Sequence, residues 1–166
     1  MKIHFSIKDV QEIETRGPWR TKSEGNLMVL FSFPYEIDMK RFLRWDDKEL
    51  KNIPDIRGLR YYSVRSLPKG QVGGGEFHRI RQEIVFATEG SVQWECEDLS
   101  GKKKITILAP QNGIWLSPFI LHSYKVLEEG TGLAVIANTT FDPENTKTHD
   151  TFSLSEFQKL QKEHQK

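Results

Sequence analysis

Residues 70–90, with the sequence GQVGGGEFHRIRQEIVFATEG, constrain the fold of this chain more than any other stretch. They place Glu76 two residues before His78, and Glu83 five residues after it. Side chains alternate along a β-strand, so Glu76 and His78 point to the same face if this stretch is extended. Two titratable side chains on one face are poor core material unless that face lines a polar cavity. The spacing therefore predicts a hollow β-structure with this pair facing inward.

The part of the chain that follows Leu59 has the pattern of short antiparallel strands. Segments rich in aromatic and β-branched residues are separated by Gly, Pro, Asn and Ser turn signals at intervals of roughly 8–12 residues, which is typical of a sandwich or a barrel. The predicted strands are 59–67, 82–88, 91–97, 103–108, 113–117, 121–127 and 132–138. The pattern indicates an all-β fold.

The two ends of the chain are less regular. The apolar run 26–33 (NLMVLFSF) predicts a buried strand that ends before Pro34, and residues 2–5 predict a short edge strand. The charged segment 38–52 predicts either a short helix or an excursion over the barrel.

The C-terminal end has the signature of a helix. Ser153 and Glu156 fit a capping box, and Leu154, Phe157 and Leu160 then recur every third residue. We therefore expect a short amphipathic helix that packs on the barrel wall.

Length and composition exclude several classes of protein. The 166 residues predict one domain, with N-terminal strands and an insertion over 1–56, a barrel core over 57–140, and a tail and helix over 141–166. The 24 Lys and Arg nearly balance the 23 Asp and Glu, so no net field favours nucleic acid or a membrane as a partner. A single cysteine, Cys96, excludes an internal disulfide and fits the cytoplasm, where we expect the protein. We recognise no signal peptide and no apolar run of the ~20 residues that span a bilayer.

The spacing of Glu76, His78, Glu83 and the final glycine of residues 70–90 resembles the first cupin motif, with Glu76 in place of its first histidine. Residues 117–122 (SPFILH) resemble the start of the second cupin motif, with His122 as its histidine. The resemblance implies a cupin, that is, a double-stranded β-helix or jelly-roll barrel with a short C-terminal helix. It also implies that Glu76, His78, Glu83 and His122 converge inside the barrel.

A longer pattern resembles the sugar 3,4-ketoisomerase family, small cupins that act on dTDP-4-keto-6-deoxyglucose. The residues that match this family between about 57 and 157 are Arg60, Tyr62, Gly74, His78, Arg79, Gly90, Ser91, Pro118, His122, Phe141 and Asp142. The chain departs from the family at Gly73, where the family has Arg, at Glu76, where it has the first His, and at Leu121, where it has Trp. Glu83 is also not expected in these relatives.

The resemblance implies an isomerase that moves a keto group between C4 and C3 of a dTDP-6-deoxyhexose through an enediolate. Such a reaction needs a positioned base. Glu76 is the predicted base or proton shuttle, and His78 its partner, which shuttles protons or donates to the oxyanion. Tyr62 is predicted to donate to a sugar oxygen, and Arg60 to hold the diphosphate, because its planar fork suits phosphate oxygens. The other predicted substrate-binding residues are Arg79, His122 and Tyr124.

Two other classes of function remain open from the residues. A metal-dependent cupin enzyme would bind Fe²⁺, Mn²⁺, Ni²⁺ or Zn²⁺, since two histidines and a carboxylate form a common open site. Its predicted ligands are Glu76, His78, Glu83 and His122. The second class is a carbohydrate-binding cupin without catalytic activity. The favoured interpretation has no cofactor, a nucleotide sugar as small-molecule ligand, and a homodimer that uses the apolar run 26–33.

Overall fold

The computed structural model describes residues 5–44, 48 and 53–164. The strands of these residues are β1 (Gln11–Glu14), β2 (Arg16–Arg20), β3 (Asn26–Val29), β4 (Arg57–Leu67), β5 (Val72–Phe77), β6 (Glu83–Glu89), β7 (Val92–Glu97), β8 (Lys103–Leu108), β9 (Asn112–Leu116), β10 (Leu121–Val126), β11 (Thr131–Thr139) and β12 (Phe152–Ser153). The helices are α1 (Glu36–Leu43) and α2 (Leu154–His164).

Two five-stranded antiparallel sheets form the barrel, in the orders β1-β9-β6-β11-β4 and β12-β5-β10-β7-β8. From β4 onward the chain passes back and forth between the sheets except at the β7–β8 hairpin, so most paired strands are distant in sequence. The inner faces of both sheets contribute to one core cluster, which includes Val85 and Leu133 from the first sheet and Trp94 and Val126 from the second. The predicted all-β barrel with a C-terminal helix is confirmed.

Strand β6 shows how the sequence divides the inside of the barrel. Its alternate residues Val85 and Ala87 belong to the inner core, and Glu83 shares their face at the start of the strand. Ile84 and Phe86 point outward, yet both are 2% exposed or less. The strand is therefore buried on both faces, and its inward row changes from apolar to charged at Glu83.

An aromatic cover accounts for the burial of the outer face of β6. Phe42 of α1 packs there on Trp115, and the cover also includes Phe31 and Phe33. The side chain of Gln82 ties α1 to the sheet, because its amide nitrogen donates to the Phe42 carbonyl at 3.1 Å and its oxygen accepts from Trp115 Nε1 at 2.8 Å.

The N-terminal part of the structure differs from the elements predicted there in several places. The prediction of a buried strand over 26–33 is wrong, because β3 ends at Val29 and pairs with β2 in a separate two-stranded sheet that leaves Leu27 52% exposed. The run is apolar because Phe31 and Phe33 belong to the outer cover. Helix α1 begins earlier than predicted and ends at Leu43, before the C-cap residue Arg44, whose φ of 51° is left-handed. Most of the predicted edge strand over 2–5, and most of the predicted segment beyond Arg44, fall outside the described residues.

The C-terminal helix follows its prediction. The Ser153 backbone nitrogen donates to the Glu156 carboxylate at 2.9 Å and the Glu156 backbone nitrogen donates to the Ser153 hydroxyl at 3.4 Å, which forms the capping box. Phe157 is fully buried against Phe77 of β5, whereas Leu154 stays 46% exposed. Neither α1 nor α2 has the length and apolar character to cross a membrane, as far as the described residues go.

Candidate functional site

A cavity of about 160 Å³ lies inside the barrel, at the end where the inward rows become polar. Its polar lining residues are Tyr62, Glu76, Glu83, His122 and Tyr124, and its apolar lining includes Val64, Trp94, Leu133 and Val135. The two sheets contribute to both kinds of lining. The cavity therefore combines an apolar wall with a small set of titratable groups, which is the composition of a small-molecule site.

Glu76 and His122 face each other across the β5–β10 pair. His78 is the first residue after β5 and is only 3% exposed. One potential ligand atom from each of these three side chains lies within 4.8 Å of the others. The structure therefore brings together the Glu76–His78 pair that the strand spacing singled out, and adds His122 to it.

The glycines before Glu76 allow β5 to come close to β10. Gly74 has a φ of 76°, and a Cβ there would lie 2.8 Å from the His122 carbonyl oxygen. A side chain at Gly73 would overlap the ring of Tyr124. This close approach accounts for the departure at Gly73, because the Tyr124 ring occupies the space that an arginine side chain needs.

Backbone carbonyls orient both imidazoles. His78 Nδ1 lies 2.6 Å from the carbonyl oxygen of Asp150, and His122 Nδ1 lies 3.1 Å from that of Ile120. A carbonyl only accepts hydrogen bonds, so each Nδ1 carries the proton and each Nε2 is left for the site. His78 Nε2 is buried and has no hydrogen-bond partner within the described part of the chain.

Glu83 is the buried centre of the site, with 3% exposure. Its Oε1 accepts from the Tyr62 hydroxyl at 2.8 Å and from an Arg81 guanidinium nitrogen at 3.3 Å. Its Oε2 lies 3.6 Å from His78 Nε2 and 3.9 Å from His122 Nε2. One carboxylate thus connects a phenol, a guanidinium and two imidazoles.

These contacts determine the charges of the site. Burial alone would raise the pKa of Glu83, but the proximity of His78, His122 and Arg81 outweighs it and lowers this pKa below its usual range. Burial, together with the negative charge of Glu83, raises the pKa of Tyr62. Burial and the neighbouring His78 lower the pKa of His122. Near neutral pH the site therefore holds an ionised Glu83, a neutral Tyr62 and a neutral His122.

An aromatic column forms one wall of the cavity. The Trp94 ring is stacked between His122 and Tyr124, with centroid distances of 5.7 and 5.5 Å. The column places Tyr124, a predicted substrate-binding residue, on the cavity and holds the His122 ring between the indole and His78.

A second, larger cavity of about 420 Å³ also has Tyr62 in its lining. It is lined by Arg60, Tyr62, Arg81, Phe141 and Thr151. The Arg60 guanidinium lies over the Tyr62 ring at 4.7 Å and over the Phe141 ring at 5.3 Å. The Nε atoms of Arg60 and Arg81 are buried without a hydrogen-bond partner among the described residues. The guanidinium groups of Arg60 and Arg81 thus border one cavity.

Arg79 is the predicted site residue that the structure separates from the others. Its guanidinium lies 4.2 Å from the centroid of the Phe152 ring, next to α2, and it lines neither of the two cavities. The sequence analysis did not include Arg81 among the predicted site residues, and it missed Asp150. Arg81 stands two residues before Glu83, a spacing that points to a shared face, whereas Asp150 is too distant in sequence to carry a local signal.

Comparisons with known proteins agree with this architecture. The family model described as FdtA: WxcM-like, C-terminal, matches residues 30–156. QdtA, a sugar 3,4-ketoisomerase from Thermoanaerobacterium thermosaccharolyticum solved in complex with TDP, is 20% identical, with a TM-score of 0.65 over 95% of this chain and 98% of that chain. The WlaRB TDP-quinovose 3,4-ketoisomerase from Campylobacter jejuni is 18% identical, with a TM-score of 0.64 over 92% and 99%.

A more distant similarity links the fold to an epimerase. The dTDP-4-dehydrorhamnose 3,5-epimerase from Bacillus anthracis is 12% identical, with a TM-score of 0.59 over 86% of this chain and 80% of that chain. No curated protein sequence matches the chain. Likeness at these identities shows the shared fold.

Glu83→Gln should destabilise the protein, because it leaves Arg81 charged and buried opposite a neutral amide. We expect the free energy of unfolding to fall by about 3–5 kcal/mol at neutral pH, measured by denaturant titration. Since the folded pKa of Glu83 is lowered, its stabilisation is fully present above the unfolded value of about 4.3 and is lost as the pH falls below it. The gap between wild type and variant should therefore shrink in acid.

The matched control is Glu95→Gln, which removes a carboxylate from an exposed ion pair with Lys103. This variant should leave stability nearly unchanged, because exposed pairs contribute little. Two results would contradict the buried-charge interpretation. One is an equal loss of unfolding free energy in the two variants, and the other is a difference between wild type and Glu83→Gln that does not depend on pH.

Proposed function

The chain belongs to the WxcM-like, C-terminal family, and we propose that it is a nucleotide-sugar 3,4-ketoisomerase acting on a dTDP-4-keto-6-deoxyhexose. The observation that carries the proposal is the convergence of Glu76, His78 and His122 within 4.8 Å of one another beside the barrel cavity, which Glu76 and His122 line. A ketoisomerase needs one group to move a carbon-bound proton and another to move protons between two oxygens. The cavity offers a carboxylate for the first task and an imidazole for the second.

The proposed reaction begins with proton transfer from C3 of the sugar to the Glu76 carboxylate. The C–H electron pair forms the C3–C4 double bond, and the C4 carbonyl becomes an oxyanion that receives a proton from Nε2 of the protonated His78. The same imidazole then takes the proton of the C3 hydroxyl while Glu76 returns its proton to C4. The product carries the keto group at C3, and both residues end in their starting states.

Glu83 supports this cycle by its fixed charge. The Glu83 carboxylate lies 3.6 Å from His78 Nε2, so its negative charge is close to the nitrogen that exchanges protons with the sugar oxygens. Because the Tyr62 hydroxyl already donates to Glu83, its oxygen is oriented to accept a hydrogen bond from the sugar. This revises the role expected for Tyr62, from a donor to the substrate to an acceptor that orients it.

The diphosphate is proposed to lie in the larger cavity, next to Arg60 and Arg81. Guanidinium groups match phosphate oxygens in shape and charge, and both side chains line this cavity. The Phe141 ring supplies an apolar surface beside them. Because Tyr62 lines both cavities, a sugar in the barrel and a diphosphate in the larger cavity would both lie next to this residue.

Glu76→Gln should abolish most of the turnover of TDP-4-keto-6-deoxyglucose but keep its binding. The amide preserves the shape of the side chain and removes the base, so we expect kcat to fall by about 10²–10⁴. Product formation measured by NMR, together with calorimetric titration of TDP, separates the two effects. The control is Glu89→Gln, at an exposed position of β6. Full turnover in Glu76→Gln would refute the proposed base.

A metal-dependent enzyme is the second candidate, and the orientation of the imidazoles favours it. Both histidines use Nδ1 on a backbone carbonyl, which is the usual arrangement of metal-binding histidines and leaves Nε2 as the ligand. Glu76, His78 and His122 would hold a divalent cation, with Glu83 close by. Such a cation would act as a Lewis acid at a sugar oxygen. The site residues fit this group as well as they fit a sugar.

Metal analysis distinguishes the two candidates. Under the favoured proposal, purified protein should contain metal well below one equivalent, and turnover should survive a chelator. One equivalent of Fe, Mn, Ni or Zn that is lost in His122→Ala, with turnover that stops on chelation, would replace the first candidate by the second.

We further propose that the protein is a cytoplasmic homodimer. The β2–β3 hairpin leaves Trp19 and Leu27 48% and 52% exposed, so these residues replace the full run 26–33 as the candidate contact. Burial raises the pKa of Cys96 to about 12, which keeps this thiol protonated and unreactive, consistent with a structural role in a reducing compartment. Sedimentation of a clean monomer at micromolar concentration would reject the dimer.

A further inference from the structure

The turn that follows β5 is held by one carboxylate from a distant part of the chain. Asp150 Oδ1 accepts from the Arg79 backbone nitrogen at 3.0 Å, and its Oδ2 accepts from the nitrogens of Ile80 and Arg81 at 2.9 and 2.7 Å. Asp150 is 2% exposed. Three successive amides between His78 and Glu83 thus point at a single buried side chain, which fixes the backbone where the site residues begin.

The same residue also contacts His78 through its main chain. The Asp150 carbonyl oxygen lies 2.6 Å from His78 Nδ1, across a sequence separation of 72 residues. Because the side chain fixes the turn and the carbonyl fixes the ring, the position and the tautomer of His78 are set together. Nδ1 must carry the proton, and Nε2 is turned toward Glu83.

The C-terminal tail keeps Asp150 in this place. Immediately before it, the buried Thr148 hydroxyl accepts from the Asp142 backbone nitrogen at 2.8 Å. Immediately after it, β12 pairs with β5, with Phe152 opposite Phe77. Asp150 is therefore anchored on both sides, and the tail is part of the wall behind His78.

We propose that Asp150 is a positioning residue of the active site: it fixes the Nδ1–H tautomer of His78 and places the Arg81 backbone beside Glu83. The inference rests on the proposed function only for its catalytic consequence. With Nε2 held beside Glu83, where Glu76 and His122 also converge, His78 gives and takes protons through one fixed nitrogen throughout the cycle. A ring in the other tautomer would present Nε2–H to the site in its neutral form and could not accept the proton of the C3 hydroxyl.

The chemistry of the contact explains why an aspartate is needed. Three N–H donors converge on it, and both carboxylate oxygens accept. Asparagine has the same shape but would direct its NH₂ group at one of these amides, which leaves at least one donor without an acceptor. Asp150→Asn should therefore loosen the turn without creating a cavity.

Asp98 provides a matched control. It is also 2% exposed and accepts from three backbone nitrogens, those of Ile7, Ser100 and Lys102, but it lines neither cavity. Asp98→Asn and Asp150→Asn should lower the melting temperature to a similar extent. Only Asp150→Asn should lower kcat, by about 10²-fold, because small misplacements of reacting groups have effects of that size. KM should change little in either variant.

The tautomer of His78 is measured directly by ¹⁵N NMR of the wild-type, metal-free protein at a pH where the ring is neutral. His78→Gln identifies the signal. We expect a protonated Nδ1 and an unprotonated Nε2 in wild type, and a mixture of the two tautomers in Asp150→Asn. This experiment needs no turnover, so it decides the inference even if the proposed isomerase activity is absent.

Two results would overturn the proposal. One is an Nε2–H tautomer of His78 in the wild-type protein. The other is an Asp150→Asn variant that folds, keeps the wild-type tautomer and loses no more kcat than Asp98→Asn does. If Asp150→Asn does not fold, the wild-type spectrum alone still tests the predicted Nδ1–H tautomer of His78.

Discussion

The carboxylate of Glu83 lies inside the barrel with almost no access to water, and the rest of the site is arranged around its charge. A buried charge is strongly unfavourable unless it is paired and hydrogen-bonded. Here the pairing comes from Arg81 and the hydroxyl of Tyr62, and the Nε2 atoms of two imidazoles lie 3.6 and 3.9 Å away. Because Tyr62 lies on β4 of one sheet and His122 on β10 of the other, the contacts of this one carboxylate bring both sheets together at the polar end of the barrel.

The need to pair the Glu83 charge divides the barrel into an apolar end that stabilises the fold and a polar end that holds the site. The apolar end, with Val85 and Val126 in its core, provides stability, whereas the polar end keeps a cavity between aromatic and charged walls. The proposed base, Glu76, is at the cavity wall and is less buried than Glu83. The proposal therefore gives the two carboxylates different tasks: Glu83 holds its neighbours in place, and Glu76 would act on the substrate.

Much of this arrangement could be predicted from the sequence, because it depends on local periodicity. The alternation of side chains on a strand was enough to place Glu76 and His78 on one inner surface, and motif spacing added Glu83 and His122. The resemblance to sugar 3,4-ketoisomerases is confirmed at the level of the family and the fold. The capping box at Ser153 was visible for the same reason, since its partners are neighbours in the chain.

The features that sequence reasoning missed depend on contacts between distant segments. Asp150 reaches the turn after His78 from about seventy residues away, and no local pattern indicates it. Arg79 matches a family position, yet its side chain lies over Phe152 because β12 passes beside the end of β5. The run 26–33 has the composition of a buried strand, but part of it covers the outside of the barrel, and apolar content alone does not distinguish an inner face from an outer one.

The central claim is that the Glu76–His78 pair moves the proton at C3 of a sugar. Incubation of the wild-type protein with TDP-4-keto-6-deoxyglucose in D₂O, followed by ¹H NMR, tests this directly. The account predicts that the C3 proton signal disappears as deuterium enters from solvent and that a 3-keto sugar accumulates. A substrate that binds while its C3 proton remains unexchanged would contradict it.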